Sequence, residues 1–220
     1  MEHEWSVAAT DLILASTCSV LAWLCVPRRG ARTLALAGAA ALLGTIRHGW
    51  GPQLSHTVYR IIWWGSYGLI AIAGTILLKT VLRYAIRPGE RQDRFCLMAD
   101  IKICLSILLF ALGGDPVWVA VSWGTDLVLI GLLGIRMRRH WWLKPAARWL
   151  IIGSCVSVLA GAIQLGLFVG TTGTLHNDLF HLIQTVGMYA YYRAIVLLRS
   201  WPRSTPPRNR RRLFLTFYEN

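Results

Sequence analysis

Six histidines are spread through a chain that is otherwise poor in charge. His48, His56, His176 and His181 sit at matching ends of three apolar stretches, and Asp178 lies between the last two. Asp11 lies about two turns inside the first stretch. Two imidazoles from different helices plus a carboxylate can hold Zn²⁺ and leave a position for water. Water in that position falls toward a neutral pKa and becomes a nucleophile. On this chemistry His48, His181, His176 and Asp178 are the candidate metal ligands. Asp178 and His56 are the candidate proton-transfer groups.

Spacing refines the set. Residues three or four apart share a helix face, so Asn177 and Asp178 both lie on the face of His181. Gln184, Thr185 and Met188 continue that stripe. His176 is five residues from His181, roughly 140° round the helix, and a poorer partner. Ala40, Gly44 and His48 share a face, so a groove of small residues ends in a histidine. His56, Arg60, Trp64 and Tyr67 follow roughly one face of the next stretch.

The elements that must position these groups are membrane helices. The 220 residues are 55% hydrophobic and 15% charged, with a mean hydropathy of +0.48. Soluble domains run at roughly 45–50% apolar and about 25% charged. An ordinary soluble enzyme and a disordered chain are both excluded. Seven apolar stretches are expected to cross, at about 5–26, 33–50, 57–79, 95–113, 116–136, 146–170 and 175–198. Each is near the roughly 20 residues that a crossing needs. The expected fold is all-α: one seven-helix transmembrane domain over 1–199 and a basic tail over 200–220.

The net charge of +13 reads as topology rather than nucleic-acid binding. All but Arg47, Arg60 and Lys102 of the 23 Lys and Arg fall on one side of a seven-crossing chain. The positive-inside rule then puts the N-terminus outside and the C-terminus in the cytoplasm of a multi-pass protein of the cell (inner) membrane. The basic loops face anionic lipid headgroups. Glu2 and Glu4 precede the first apolar run, which argues against a cleaved signal. Cys18, Cys25, Cys96, Cys104 and Cys155 are odd in number and form no CxxC, so they read as packing residues. The small-residue run Ala35 to Gly44 predicts that the second helix is central in the bundle. Asp100 and Lys102 are expected to pair with each other or with basic loops.

The residues Gly44-Thr45-Ile46-Arg47-His48 and Asn177-Asp178-Leu179-Phe180-His181, on seven spans, resemble the CREST superfamily. That group holds the alkaline ceramidases and the progestin/adiponectin-receptor proteins. The resemblance implies a seven-helix bundle with zinc held by three histidines, and hydrolysis of lipid amides. His48 and His181 match ligand positions. Gly44 stands where the family has Ser, Asn177 where it has a ligand His, and the family's Asp in the third span has no counterpart near Tyr59.

The expected function is a membrane-embedded, metal-dependent hydrolase of a lipid amide or ester, with zinc as its cofactor. The alternative is a non-catalytic accessory subunit or receptor-like module. It would use the polar cluster structurally and the Arg-rich tail to dock a partner. Haem between His48 and His181 is a weaker reading, since no CxxCH is present. Ion transport through Asp126 and Gln164 is weaker too, because the cytoplasmic half is poor in polar residues.

Overall fold

The structure, a computed structural model, describes residues 4–26, 30–165 and 174–199. These form seven helices and no strand. They are α1 (Trp5–Cys25), α2 (Ala31–Trp50), α3 (His56–Ala85), α4 (Glu90–Gly113), α5 (Val117–Met137), α6 (Lys144–Gln164) and α7 (Leu175–Arg199). The all-α architecture is as expected. The tail expected over 200–220, and the last residues of the expected sixth span, lie outside the described residues.

Five helices, α1 and α3 to α6, are long and apolar enough to cross a membrane. The burial pattern agrees. Ile61, Leu97, Leu112, Leu132 and Ile135 are exposed, while the ionisable Asp11, Asp126 and His181 and the amide of Gln184 are buried in the apolar core. Hydrocarbon solvent favours apolar side chains outside and ionisable ones turned inward. The chain is a membrane protein. The two less apolar helices have compositional reasons. Helix α2 is rich in Gly and Ala, and α7 carries His176, Asn177, Asp178, His181 and Gln184.

Helix boundaries follow local chemistry. Ser55 caps α3, accepting from the Val58 amide at 3.4 Å. That start lets α3 run for 30 residues, past the span expected to end at residue 79. Gly114 ends α4 with φ +68°, a left-handed conformation that glycine adopts without strain.

Packing makes a ring. Helix α1 contacts α2, α2 contacts α3, α3 contacts α5, α5 contacts α6, α6 contacts α7, and α7 returns to α1. Helix α4 stands outside the ring against α3 and α5. The second helix is thus a ring member and not a central one. Its small residues still allow close approach, but toward α1. A Cβ on Gly38 would sit 3.2 Å from the Ala15 carbonyl oxygen. Gly153 and Gly187 do the same between α6 and α7, where added Cβ atoms would meet Tyr191 at 2.8 Å and Ser157 at 2.7 Å.

Helix α4 buries little of itself and is held by charge. Lys79 of α3 donates to Asp100 at 2.6 Å, and Lys102 donates to Asp126 of α5 at 3.1 Å and to Ser122 Oγ at 2.5 Å. Asp100 and Lys102 therefore pair with α3 and α5 rather than with each other. Residues two apart point to different faces of a helix. Asp126 is fully buried. Removing one partner of a buried pair strands the other charge and costs about 3–5 kcal/mol. Asp126→Ala should therefore lower Tm in detergent sharply, and Lys102→Met/Asp126→Leu should recover most of the loss. A double variant no more stable than Asp126→Ala would mean that the pair does not secure α4.

Candidate functional site

One end of the bundle gathers the start of α1, the end of α2 and the start of α7. The Glu4 amide donates to the His48 carbonyl at 3.1 Å, and Trp5 packs edge-on against Trp50 at 5.5 Å. The Ser6 and Thr174 hydroxyls meet at 3.1 Å. These contacts set α1 between α2 and α7. They bring two acid–imidazole pairs to the same end.

The first pair is deep. Asp11 Oδ1 lies 3.2 Å from His181 Nε2, and the two residues are 4% and 8% exposed. The other nitrogen of His181, Nδ1, lies 3.2 Å from the Thr10 hydroxyl. Thr10 also lies within donating distance of Asp178 Oδ1, at 3.3 Å, and of the Val7 carbonyl, at 3.0 Å. Adjacent residues of α1 thus meet both ring nitrogens of one imidazole. Asp11 Oδ2 is buried and has no hydrogen-bond partner. The second pair is shallower, with His48 Nδ1 against the Glu4 carboxylate. His48 at the end of α2 and Asp178 and His181 at the start of α7 thus come to the same end of the bundle. Arg47 lies beside them, its Nε donating to the Tyr59 hydroxyl at 2.9 Å and its guanidinium 3.8 Å from the Trp63 ring centre.

The expected residues divide. His48, Asp178 and His181 come to one end, together with Asp11. His56 is exposed as the first residue of α3, because the Ser55 cap starts the helix there, and no described contact joins it to the other three. His176 is half-buried with Nδ1 unpartnered and is not drawn to His181, as its five-residue offset implies. Asn177 stands at the position of a ligand His in the resembled motif and accepts from Gln164 at 2.5 Å, tying α6 to α7. Thr10 and Glu4 escaped the sequence reading. Thr10 is the neighbour of a carboxylate in an apolar helix, which was its available signal. Glu4 precedes the first helix and gave none.

Gly44 explains how Asp11 fits. A Cβ there would lie 2.5 Å from Asp11 Oδ2 and 2.9 Å from its Cγ. The carboxyl group of α1 fills the space that a side chain at 44 would need.

The donor chemistry suits zinc, which takes neutral imidazoles and carboxylates. An Nδ1–H held by a carboxylate or hydroxyl leaves Nε2 as the ligating nitrogen. Glu4 holds His48 in this way and Thr10 can hold His181 so. The Nε2 lone pair of His181 would then face Asp11 Oδ1, two acceptors 3.2 Å apart. Two ligands on one tetrahedral zinc, with bonds of about 2.0–2.1 Å, stand roughly 3.3 Å apart. Among the described residues, no three of His, Cys, Asp or Glu are gathered at ligand spacing.

The chain matches one family over residues 6–200. It belongs to DUF6962, a family of unknown function. No curated protein and no solved structure matches it. The match spans all seven helices and therefore every residue of the site except Glu4.

Gly44→Ala tests the packing. It should crowd the Asp11 carboxyl and cost about 1–3 kcal/mol in stability. With Asp11→Ala already present, the same change should cost at least 1 kcal/mol less. Equal costs in the two backgrounds would show that Asp11 does not fill the space beside Gly44.

Proposed function

We propose that this chain crosses the cell's inner membrane seven times, N-terminus outside, and hydrolyses a lipid amide or ester at its His/Asp end. The reading follows the resemblance to the CREST superfamily, with one change. Asp11 joins His48 and His181 in the ligand set, where the sequence suggested His176 or Asp178, and His48 must draw in toward the other two for all three to reach one ion. The topology rests on the sidedness of Lys and Arg across a chain of seven successive helices.

The observation that carries the reading is the buried Asp11–His181 pair, with one carboxylate oxygen left unpartnered. A buried polar atom without a partner costs about 1–3 kcal/mol, and this one belongs to a carboxyl that lies beside an imidazole nitrogen, the donor pair that zinc takes. Zinc held by His48, His181 and Asp11 would supply Lewis acidity toward a carbonyl group and toward water. The chain's own groups do the rest. Thr10 and Glu4 fix the two imidazoles by their Nδ1 atoms. Asp178 Oδ1, about one turn nearer the helix start than His181, can accept a proton there. Arg47, held by Tyr59 and Trp63, places positive charge beside the developing oxyanion.

One observation favours the second reading, a non-catalytic module. His181 has Nδ1 against Thr10 and Nε2 beside Asp11, both from its own chain, as a purely structural histidine would. In that case the network locks α1 to α7 and function lies with a partner.

Elemental analysis separates the two. Detergent-purified wild type should carry about one zinc per chain, and Asp11→Asn and His181→Ala should each lose it. Turnover of a long-chain lipid amide should fall at least 100-fold in both variants. A metal-free wild type that folds normally and turns over no lipid amide or ester would leave the structural reading standing.

A further inference from the structure

Helices α6 and α7 carry a separate feature on their lipid-facing side, toward the basic end. The guanidinium of Arg193 on α7 lies 5.4 Å from the Trp149 ring centre on α6. It donates to the Tyr189 hydroxyl at 3.3 Å. Trp149 and Tyr189 meet edge to face at 6.2 Å, and Tyr192 flanks Tyr189 at 6.1 Å. Tyr189 is exposed, whereas Met188, Tyr191, Ala194 and Ile195 of the same helix are buried. The cluster therefore faces lipid and not the ring interior.

Arg193 stands six residues before the end of α7, about 9 Å inside it at 1.5 Å per residue. A snorkelling arginine would extend toward headgroup water. This one is held against a hydroxyl one turn nearer the membrane centre. The protein does not answer its charge. None of the ion pairs among the described residues includes Arg193. Helix α6 has no Asp or Glu, and the one acid of α7, Asp178, is 15 residues away. Lys144 and Arg148 at the start of α6 only add positive charge.

A cation inside the hydrocarbon boundary is costly without a partner. An aromatic ring supports a guanidinium but does not neutralise it. Tyr189 accepts from Arg193, so its own O–H is free to donate. Guanidinium and phenol thus offer donors side by side, a match for the oxygens of one phosphate. On the same helix face, Val186 and Leu182 are exposed at the two preceding turns.

We propose that Arg193, Tyr189 and Trp149 bind the phosphate of one anionic phospholipid in the leaflet at the basic end, with an acyl chain along Val186 and Leu182. A zwitterionic lipid carries its own cation and answers the arginine less well. The site is separate from the His/Asp end and stands whether or not that end is catalytic.

Native mass spectrometry of the full chain, released from detergent with added lipid, reads the occupancy. Phosphatidylglycerol should be retained at about one per chain, and phosphatidylcholine about tenfold less. Arg193→Gln should weaken phosphatidylglycerol retention about fivefold, and Tyr189→Phe about threefold. Arg193→Lys should restore less than half of the loss, because an ammonium does not fork onto phosphate. Arg91→Gln removes the same charge from α4, which lies against α3 and α5, and should leave retention unchanged. Equal retention of the two lipids would overturn the proposal. So would full rescue by lysine or an equal loss in Arg91→Gln, since net charge alone would then attract the lipid. Displacement by glycerol 3-phosphate would overturn it too, because the occupant would need no membrane tail.

Discussion

A bundle in hydrocarbon gains little from burying apolar side chains, since the lipid is as apolar as they are. What makes one arrangement of helices better than another is where the polar groups go. The closure of this ring depends on that constraint. Helices α1 and α7 are the two ends of the chain, and they meet through Thr10, Asp11, Asp178 and His181. Pulled apart, those groups would face lipid with their hydrogen bonds unmade. That penalty, more than any apolar contact, holds the first helix against the last and so shuts the ring.

The same reasoning explains the odd position of α4. It stands outside the ring and buries few side chains, among them Ala99, Ile103, Ser106 and Phe110. Two ion pairs, Lys79–Asp100 and Lys102–Asp126, place it. They sit near mid-height and fix where α4 lies against α3 and α5. Gln92 adds a tie at the basic end, donating to the Ile86 carbonyl just past α3 at 2.8 Å.

Much of this was legible in the sequence. Helix number and the membrane setting follow from apolar stretches of crossing length, whose composition dominates any local signal. His48, Asp178 and His181 drew attention because ionisable groups in an apolar run stand out, and the fold brings them to one end. Partner identity was harder. Asp100 and Lys102 are neighbours in sequence, but helix geometry turns them to different faces, and the helices that receive them are set by ring packing. Glu4 pairs with His48 across the fold, and nothing local announces it. The second helix was expected at the centre because small residues signal close approach. They do not say to how many neighbours, and here the approach is mainly to α1.

Gly44 shows how one missing side chain changes a site. In the resembled motif a serine precedes the histidine by one turn. Here the position is empty, and the Asp11 carboxyl from another helix occupies it. That packing brings the Asp11 carboxyl within 3.2 Å of His181. It also couples the polar cluster to ring closure, because the same carboxyl joins α1 to α7. A chain built this way cannot lose the carboxylate without loosening the bundle. The presence of Asp11 alone therefore does not separate catalysis from architecture.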